Sequence, residues 1–425
     1  MKPIIRATRQ KKKQVNSQQE NATLLGLNGR KNVYVPDNAK HVFVCGTTGS
    51  GKTVALSNFI HHGIQENYPL LIIDGKGDIG AGSILEITKR FCREHKKKLY
   101  IVNLSEPEQS SKYNPFTHAS PTACKDMLIN LTEWSEQHYK SNTERFLQRL
   151  IILLQQSNIP LSFQTIVSHM STDSFNALSA KLLKQEEINK QEHLLNLEIS
   201  KTCGKIAESA AARFSTIAES EAGQIFDECG IDIYTAIQEH AVILIVLNPL
   251  LYPELSPLMG RMVMIDAKQA VSKCFNTNLE RGFFIFDEVS SYASTALIDL
   301  VNKSRSANIT CVLATQSLSD LDYSVDTSIR EQVIENCNNY IVLRQNSAVN
   351  AEAWASVLGT RESVEVTYQV EQQSRVTNAT GLGSAKRVRE FLYHPDEIKT
   401  LSVGNGFFLS KDNNFHCKLK VNKPF

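Results

Sequence analysis

Short apolar runs recur along the chain at 41–45, 70–74 and 98–104, with stretches between them in which apolar residues return every three or four positions. Runs of this length, rich in Val, Ile, Leu and Phe and bounded by polar or turn residues, predict strands buried on both faces. The helical spacing between them predicts parallel β-α units. In the first such helix, Leu56, Phe59, Ile60 and Ile64 share one face. From 121 to 223 the strand signal disappears, while segments such as 144–156 and 176–198 keep helical spacing among Gln, Glu, Lys and Ser. That stretch is expected to be an all-helical insertion. Strand-like runs resume at 241–247, 282–287, 309–315 and 340–344, with two more at 406–410 and 415–421. The expected fold is α/β: a mostly parallel central sheet built from 25–120 and 224–425, interrupted by the helical module 121–223.

Composition narrows the class. The chain has 425 residues, 42% of them hydrophobic and 21% charged, which describes a globular protein with room for two or three domains. Its net charge is only +2, so an anionic partner would have to meet a local concentration of positive charge. One such concentration is 1–24, where Lys2, Arg6, Arg9, Lys11, Lys12 and Lys13 precede a polar stretch. This reads as a disordered basic arm, either a solubilising tail or a contact for DNA or an anionic membrane face. No apolar run approaches the roughly 20 residues of a membrane helix, and no signal-peptide pattern is present. Nine cysteines with no C-x-x-C pair fit a reducing compartment and argue against a zinc site. The adjacent pair His61-His62 reads as part of a solvated helix face.

Chemistry enters after the first strand. Gly46-Thr47-Thr48-Gly49-Ser50-Gly51-Lys52-Thr53, with Val54 behind it, is a complete G-x-x-x-x-G-K-[ST] loop between a strand and a helix. Its glycines let backbone N–H groups curl around phosphate oxygens, and the helix N-terminus adds partial positive charge. Lys52 is expected to reach the β- and γ-phosphates of ATP and Thr53 to offer its hydroxyl to Mg²⁺. The acidic partner is Asp287-Glu288, at the tip of the run 283–286. Asp287 would hold the Mg²⁺ shell, and Glu288 would orient or deprotonate the attacking water. Asp74, Lys76 and Asp78 close the second strand in a pattern that also matches the D-x-x-G of GTPases. The N-K-x-D that reads guanine is missing, because the Asn-Lys pairs at 189, 302 and 422 lead to Glu192, Arg305 and Phe425. An L-S-G-G-Q is also absent.

These pieces occur in an order that resembles the coupling-protein ATPases of type IV secretion and conjugation, the TraG/TraD-like group within the FtsK/HerA class. The resemblance rests on 41–44 leading into the phosphate loop, on Asp74 to Asp78 as D-x-K-G-D, and on Tyr113-Asn114-Pro115-Phe116 before the helical module. It continues through Asp287-Glu288, Arg305 and 314–317, and closes with 381–384, 389–391, 395–398 and Gly404. The resemblance implies a RecA-like fold and a ring, expected to be a homo-hexamer, with ATP at subunit interfaces. Gln316 would sense the γ-phosphate, and Arg305 would act as an arginine finger on a neighbour's nucleotide. Implied partners are DNA, single- or double-stranded and gripped without sequence preference, and a relaxase or adaptor received by the helical module. Family members usually begin with membrane helices. None is visible here, so the chain is either a naturally soluble variant served by a separate membrane subunit or one whose anchor was removed. The expected location is the cytoplasm, with peripheral recruitment to the secretion channel at the inner or plasma membrane. Two alternatives stay open: a HerA/FtsK-type translocase outside conjugation, and an ATP-gated receptor for protein effectors.

Overall fold

The computed structural model describes residues 21–425 except 39, 132–133, 276, 278, 323–327 and 374–375, and the side chains of 328 and 368–384 also lie outside the description. The basic arm expected at the N-terminus therefore falls outside it, apart from its last residues. Those residues correct the expectation. Strand β1 (Ala22–Asn28) already includes them, because Thr23 and Leu24 pair with Val35 and Tyr34 of β2 (Lys31–Pro36).

The phosphate-loop strand β3 (His41–Cys45) is followed by helix α1 (Lys52–Gln65), then β4 (Leu70–Asp74), α2 (Ile84–Glu94) and β5 (Leu99–Asn103). Next come the helices of the insertion: α3 (Pro121–Asn130), α4 (Gln137–Gln156), α5 (Phe163–Ser168), α6 (Thr172–Lys184) and α7 (Lys190–Ala218). The stretch 176–198 is not one helix, since Asn189 caps α7 with its side chain on the Glu192 N–H, in a capping box that starts a new helix. A short α8 (Ile233–Gln238) returns the chain to β6 (Val242–Val246). Then follow α9 (Leu255–Cys274), β7 (Gly282–Phe286), α10 (Thr295–Ser304), β8 (Ile309–Thr315), α11 (Ser328–Asn336), β9 (Cys337–Leu343) and α12 (Ala348–Leu358). The ribbon strands β10 (Thr360–Gln373) and β11 (Val376–Phe391), α13 (Pro395–Lys399), β12 (Asn405–Ser410) and β13 (Phe415–Val421) complete the chain.

The main sheet has 11 strands in the order β2-β1-β13-β12-β9-β3-β8-β7-β4-β6-β5. From β9 to β5 every pairing is parallel; β12, β13, β1 and β2 extend one edge with antiparallel pairs. The strand alternation of side chains splits the core. In β3, Val42 and Val44 join the layer under α1, whereas Phe43 and Cys45 join the opposite layer. Leu56, Phe59, Ile60 and Ile64 of α1 are all buried in the first layer. The second layer runs without a break into the insertion, through Phe146, Phe163, Phe175 and Phe214. The helical module is thus fused to one face of the sheet. It enters and leaves through neighbouring segments, because Tyr113 bridges to both Phe226 and Ile231.

His61 and His62 depart from the expected solvated face. Both are half-buried, and His62 Nε2 lies 2.6 Å from Asp37 Oδ2. No helix among the described residues is long and apolar enough to cross a membrane.

Candidate nucleotide site

The loop after β3 is shaped by its backbone. Gly49 and Gly51 take φ of +74° and +111°, a region that side-chain-bearing residues rarely adopt. At Gly46 a Cβ would stand 2.6 Å from Leu343 Cβ and from Ser50 Oγ, so only glycine fits between the loop and β9. Gly46 N–H donates to the Thr315 carbonyl at 3.3 Å, and Thr47 N–H to the Arg344 carbonyl at 2.9 Å. The loop therefore hangs from the ends of the two strands that flank β3. Lys52, 3% exposed, donates its ammonium to the Gly46 carbonyl at 2.6 Å and closes the loop across its mouth. Thr53 and Val54 follow in the first turn of α1, both half-buried.

The carboxylates arrive from β7, next but one to β3. Asp287 is 1% exposed, and its Oδ1 is buried without a hydrogen-bond partner. Glu288 Oε2 is likewise buried without a hydrogen bond. Glu288 has a φ of +50°, a left-handed conformation that costs a non-glycine residue about 1–2 kcal/mol. The Asp287 carbonyl accepts the Tyr292 hydroxyl at 2.8 Å, and a Cβ at Gly75 would stand 2.6 Å from that same carbonyl oxygen. Burial raises both carboxyls above the ordinary range, and the Lys52 and Lys76 ammonium groups pull them back. Burial also lowers Lys52, against the attraction of Glu288. Lys76 Nζ sits 3.9 Å from Asp287 Oδ2 and 4.0 Å from Glu288 Oε2.

Asp74 folds its own turn, its Oδ1 accepting the N–H groups of Lys76 and Gly77 at 3.0 and 3.2 Å. Its Oδ2 has no partner, and burial, with Asp287 beside it, pushes the carboxyl up to about 7. A cavity of about 430 Å³ gathers Thr53, Asp74, Lys76, Asp78 and Asp287 on its walls. Gln316, just past the end of β8, accepts the Thr48 hydroxyl at 3.1 Å on its Oε1 and lies beside Glu288. It thereby stands between the loop and the acidic pair. Orphaned buried oxygens, a cradle that a Cβ would fill and a buried ammonium fit a nucleoside triphosphate with a divalent cation. Among the described residues no group of three or more His, Cys, Asp or Glu is placed to hold a metal by itself. A cation at Thr53 and Asp287 would thus be completed by phosphate oxygens.

Arg305 is not brought to this site. It is exposed and precedes the N-terminal end of β8, near His41 at the start of β3, whereas the loop follows the C-terminal ends of these parallel strands. Three neighbours of the loop were not among the expected site residues. Arg344 carries a buried Nε with no hydrogen bond, Gln345 is buried beside Cys45, and Gly404 N–H donates to the Ser50 carbonyl at 3.0 Å. Arg344 and Gln345 directly follow β9, a strand parallel to β3, a position that could have flagged them. Nothing in the local sequence marks the contact of Gly404 with Ser50.

A family model described as the type IV secretion-system coupling protein DNA-binding domain matches residues 33–422. The solved structure of the bacterial conjugative coupling protein TrwBdeltaN70 is 17% identical, with a TM-score of 0.65 over 96% of this chain and 91% of that one. TrwB in complex with ADP and Mg²⁺ gives the same identity, coverage and score. VirB4 of Thermoanaerobacter pseudethanolicus is 12% identical, with a TM-score of 0.58 over 95% of this chain and 96% of that one. An uncharacterised protein of Mycoplasma pneumoniae is 26% identical over 101 residues, 24% of this chain and 67% of its own. The structural likenesses establish the fold, RecA-like α/β as expected. With nearly the whole chain matched by the family model, this protein belongs to the type IV secretion-system coupling protein family.

Proposed function

We propose that this chain is an ATP-hydrolysing coupling protein that recruits DNA, or a relaxase–DNA substrate, and drives it into a conjugative type IV secretion channel. The observation that carries the chemistry is the pair of buried oxygens without a hydrogen bond on Asp287 and Glu288, in electrostatic reach of Lys52 at the phosphate loop. A buried polar group without a hydrogen bond is costly, and at this site Asp74 Oδ2 joins Asp287 Oδ1 and Glu288 Oε2 in lacking one, as a ligand-binding cavity requires.

In this reading the backbone N–H groups from Gly46 to Thr53 cradle the phosphates of ATP. Lys52 leaves the Gly46 carbonyl to pair with the β- and γ-phosphates. Thr53 and Asp287 would hold Mg²⁺, which would supply positive charge beside the phosphate oxygens. Glu288 orients the attacking water and takes its proton, and its raised basicity suits that task. Gln316 reports the state of the γ-phosphate to the loop through Thr48. Lys76 balances the acidic pair, and Asp74 and Asp78 hold the flank of the cavity. Arg305, displaced from its own loop, serves the nucleotide of the next subunit in a homo-hexameric ring.

DNA is gripped by its phosphates, without sequence preference. The helical module receives the relaxase or adaptor, and a separate membrane subunit or the channel itself recruits the chain to the membrane. The test is steady-state ATP hydrolysis with and without single- and double-stranded DNA at two salt concentrations. Salt-sensitive stimulation by DNA supports the motor. Assembled rings whose turnover ignores DNA would favour a receptor for protein effectors.

A further inference from the structure

Two hollows outside the nucleotide site share one wall, the indole of Trp134. The first, about 400 Å³, lies between α3, α4, α9 and α10; the second, about 330 Å³, lies between α4 and α7. Both fall within the roughly 300–1,000 Å³ of small-ligand pockets. The indole is held in place, with Nε1 donating to the Ile129 carbonyl at 2.8 Å and the Arg213 guanidinium 5.8 Å from the ring centre. A second aromatic, Tyr139, lines the second hollow and is 44% exposed.

Among the described lining residues of the two hollows, Lys and Arg outnumber Asp, with Asp126 and Asp299 both in the first. In the first hollow Lys268 is paired with Asp299 at 2.6 Å, and Asp126 is paired with Lys125. Lys140 and Arg261 are left with no ion pair among the described residues, and Arg261 Nε is buried with no hydrogen-bond partner. The second hollow is lined by Lys205 and Arg213 and by no acidic residue. The result is an aromatic ridge flanked by cations on three different helices.

We infer that Trp134 and Tyr139 form a stacking platform for a short stretch of single-stranded DNA, with Lys140, Lys205 and Arg261 taking its phosphates. Bases offer a π-face to any aromatic side chain, and cations beside the ring meet the backbone. A base inside a duplex cannot enter such a hollow. An acidic peptide would satisfy the cations but has no use for the indole face. The inference rests on the DNA part of the function proposed above and places one contact on the helical module, away from the ATP site.

The chain has two tryptophans, and Trp354 is fully buried, so a change in emission on adding DNA reports on Trp134. The full chain is titrated with an oligothymidylate, tryptophan emission giving contact at Trp134 and anisotropy of a labelled copy giving total binding. Saturable quenching is expected, with binding weakened roughly 5- to 150-fold in Trp134→Ala and little changed in Trp134→Phe. Lys140→Gln and Lys205→Gln, at surface positions that tolerate polar change, should each lower the salt slope by about 0.7 and leave DNA-free ATP turnover unchanged. Oligothymidylate binding with steady emission and unaffected variants would overturn the platform and leave the DNA motor standing. Quenching by oligoglutamate but not by oligothymidylate would overturn it in favour of an acidic peptide. Failure to bind any DNA would remove the platform and the DNA reading together.

Discussion

The backbone N–H of Gly404 donates to the carbonyl of Ser50 at 3.0 Å, so a turn near the end of the chain closes directly on the phosphate loop. The Gly404 carbonyl in turn accepts the Val421 N–H at 2.8 Å. Asn422 bonds the carbonyl of Leu25 through its own N–H, and exchanges side-chain and backbone hydrogen bonds with Asn58 of α1. Loop, first strand and tail hairpin thus form one hydrogen-bonded unit. Gly404 has a φ of +75°, and its Cα would stand 3.3 Å from a Cβ added at Gly51. Gly404→Val should cost about 1–2 kcal/mol of left-handed strain and lower the melting midpoint by a few degrees. It should also weaken ATP affinity, because the strain is released onto Ser50. A melting curve and an ATP titration check this; an unchanged affinity would mean that the tail is passive.

The sequence made the parallel strands legible because burial on both faces writes them as unbroken apolar runs. The runs at 41–45, 70–74 and 309–315 match β3, β4 and β8 residue for residue. The antiparallel edge was harder. In β1 and β2, buried and exposed positions are mixed with turn residues, and a bulge between Leu24 and Gly26 breaks the alternation. The ribbon β10–β11 left no apolar run, since its strands pair only with each other and the described side chains at its base are largely exposed. The loop and the acidic pair were visible as motifs, whereas Arg344 and Gly404 acquire their neighbours only through sheet order. Arg305 was legible as a residue, but its distance from its own loop was not.

The Tyr113 hydroxyl donates to Asp266 Oδ2 at 2.8 Å, fastening the entry to the helical module onto α9. Burial, with Asp232 nearby, pushes the Asp266 carboxyl up to about 8, from an ordinary 3.8. Between these values the native chain keeps a proton that the unfolded chain releases, so this contribution to stability is lost as pH rises from about 4 through 8. The slope approaches about 1.4 kcal/mol per pH unit. Asp266→Asn, neutral throughout, should flatten the fall of melting temperature across that window. Equal slopes in both proteins would show that Asp266 is ionised in the folded state.

Arg305 and its own phosphate loop lie at opposite ends of the parallel strands. Arg305→Ala should therefore leave ATP binding by a single chain unchanged and lower turnover only in assembled rings. Mixing Arg305→Ala subunits with Lys52→Ala subunits should restore part of the activity, since some interfaces then join an intact loop to an intact arginine. Mixtures as inactive as their parents would remove the role in trans.

Lys52 donates to the Gly46 carbonyl at 2.6 Å, and the proposed mechanism has it exchange that partner for phosphate. Lys52→Ala should weaken ATP binding about 10- to 100-fold, the worth of hydrogen bonds to a charged group. Titration with a fluorescent ATP analogue reads this directly. Tight binding by the variant would place the phosphates elsewhere.

The most direct measurement is phosphate release from ATP by the full chain and by Glu288→Gln, side by side with Mg²⁺ and single-stranded DNA, with bound ATP quantified in the same samples. A motor built on Asp287 and Glu288 should turn over in the parent and lose at least about 100-fold in the variant, while the variant still binds ATP. Equal turnover by the two proteins would show that the carboxylate at the tip of β7 does not position the attacking water.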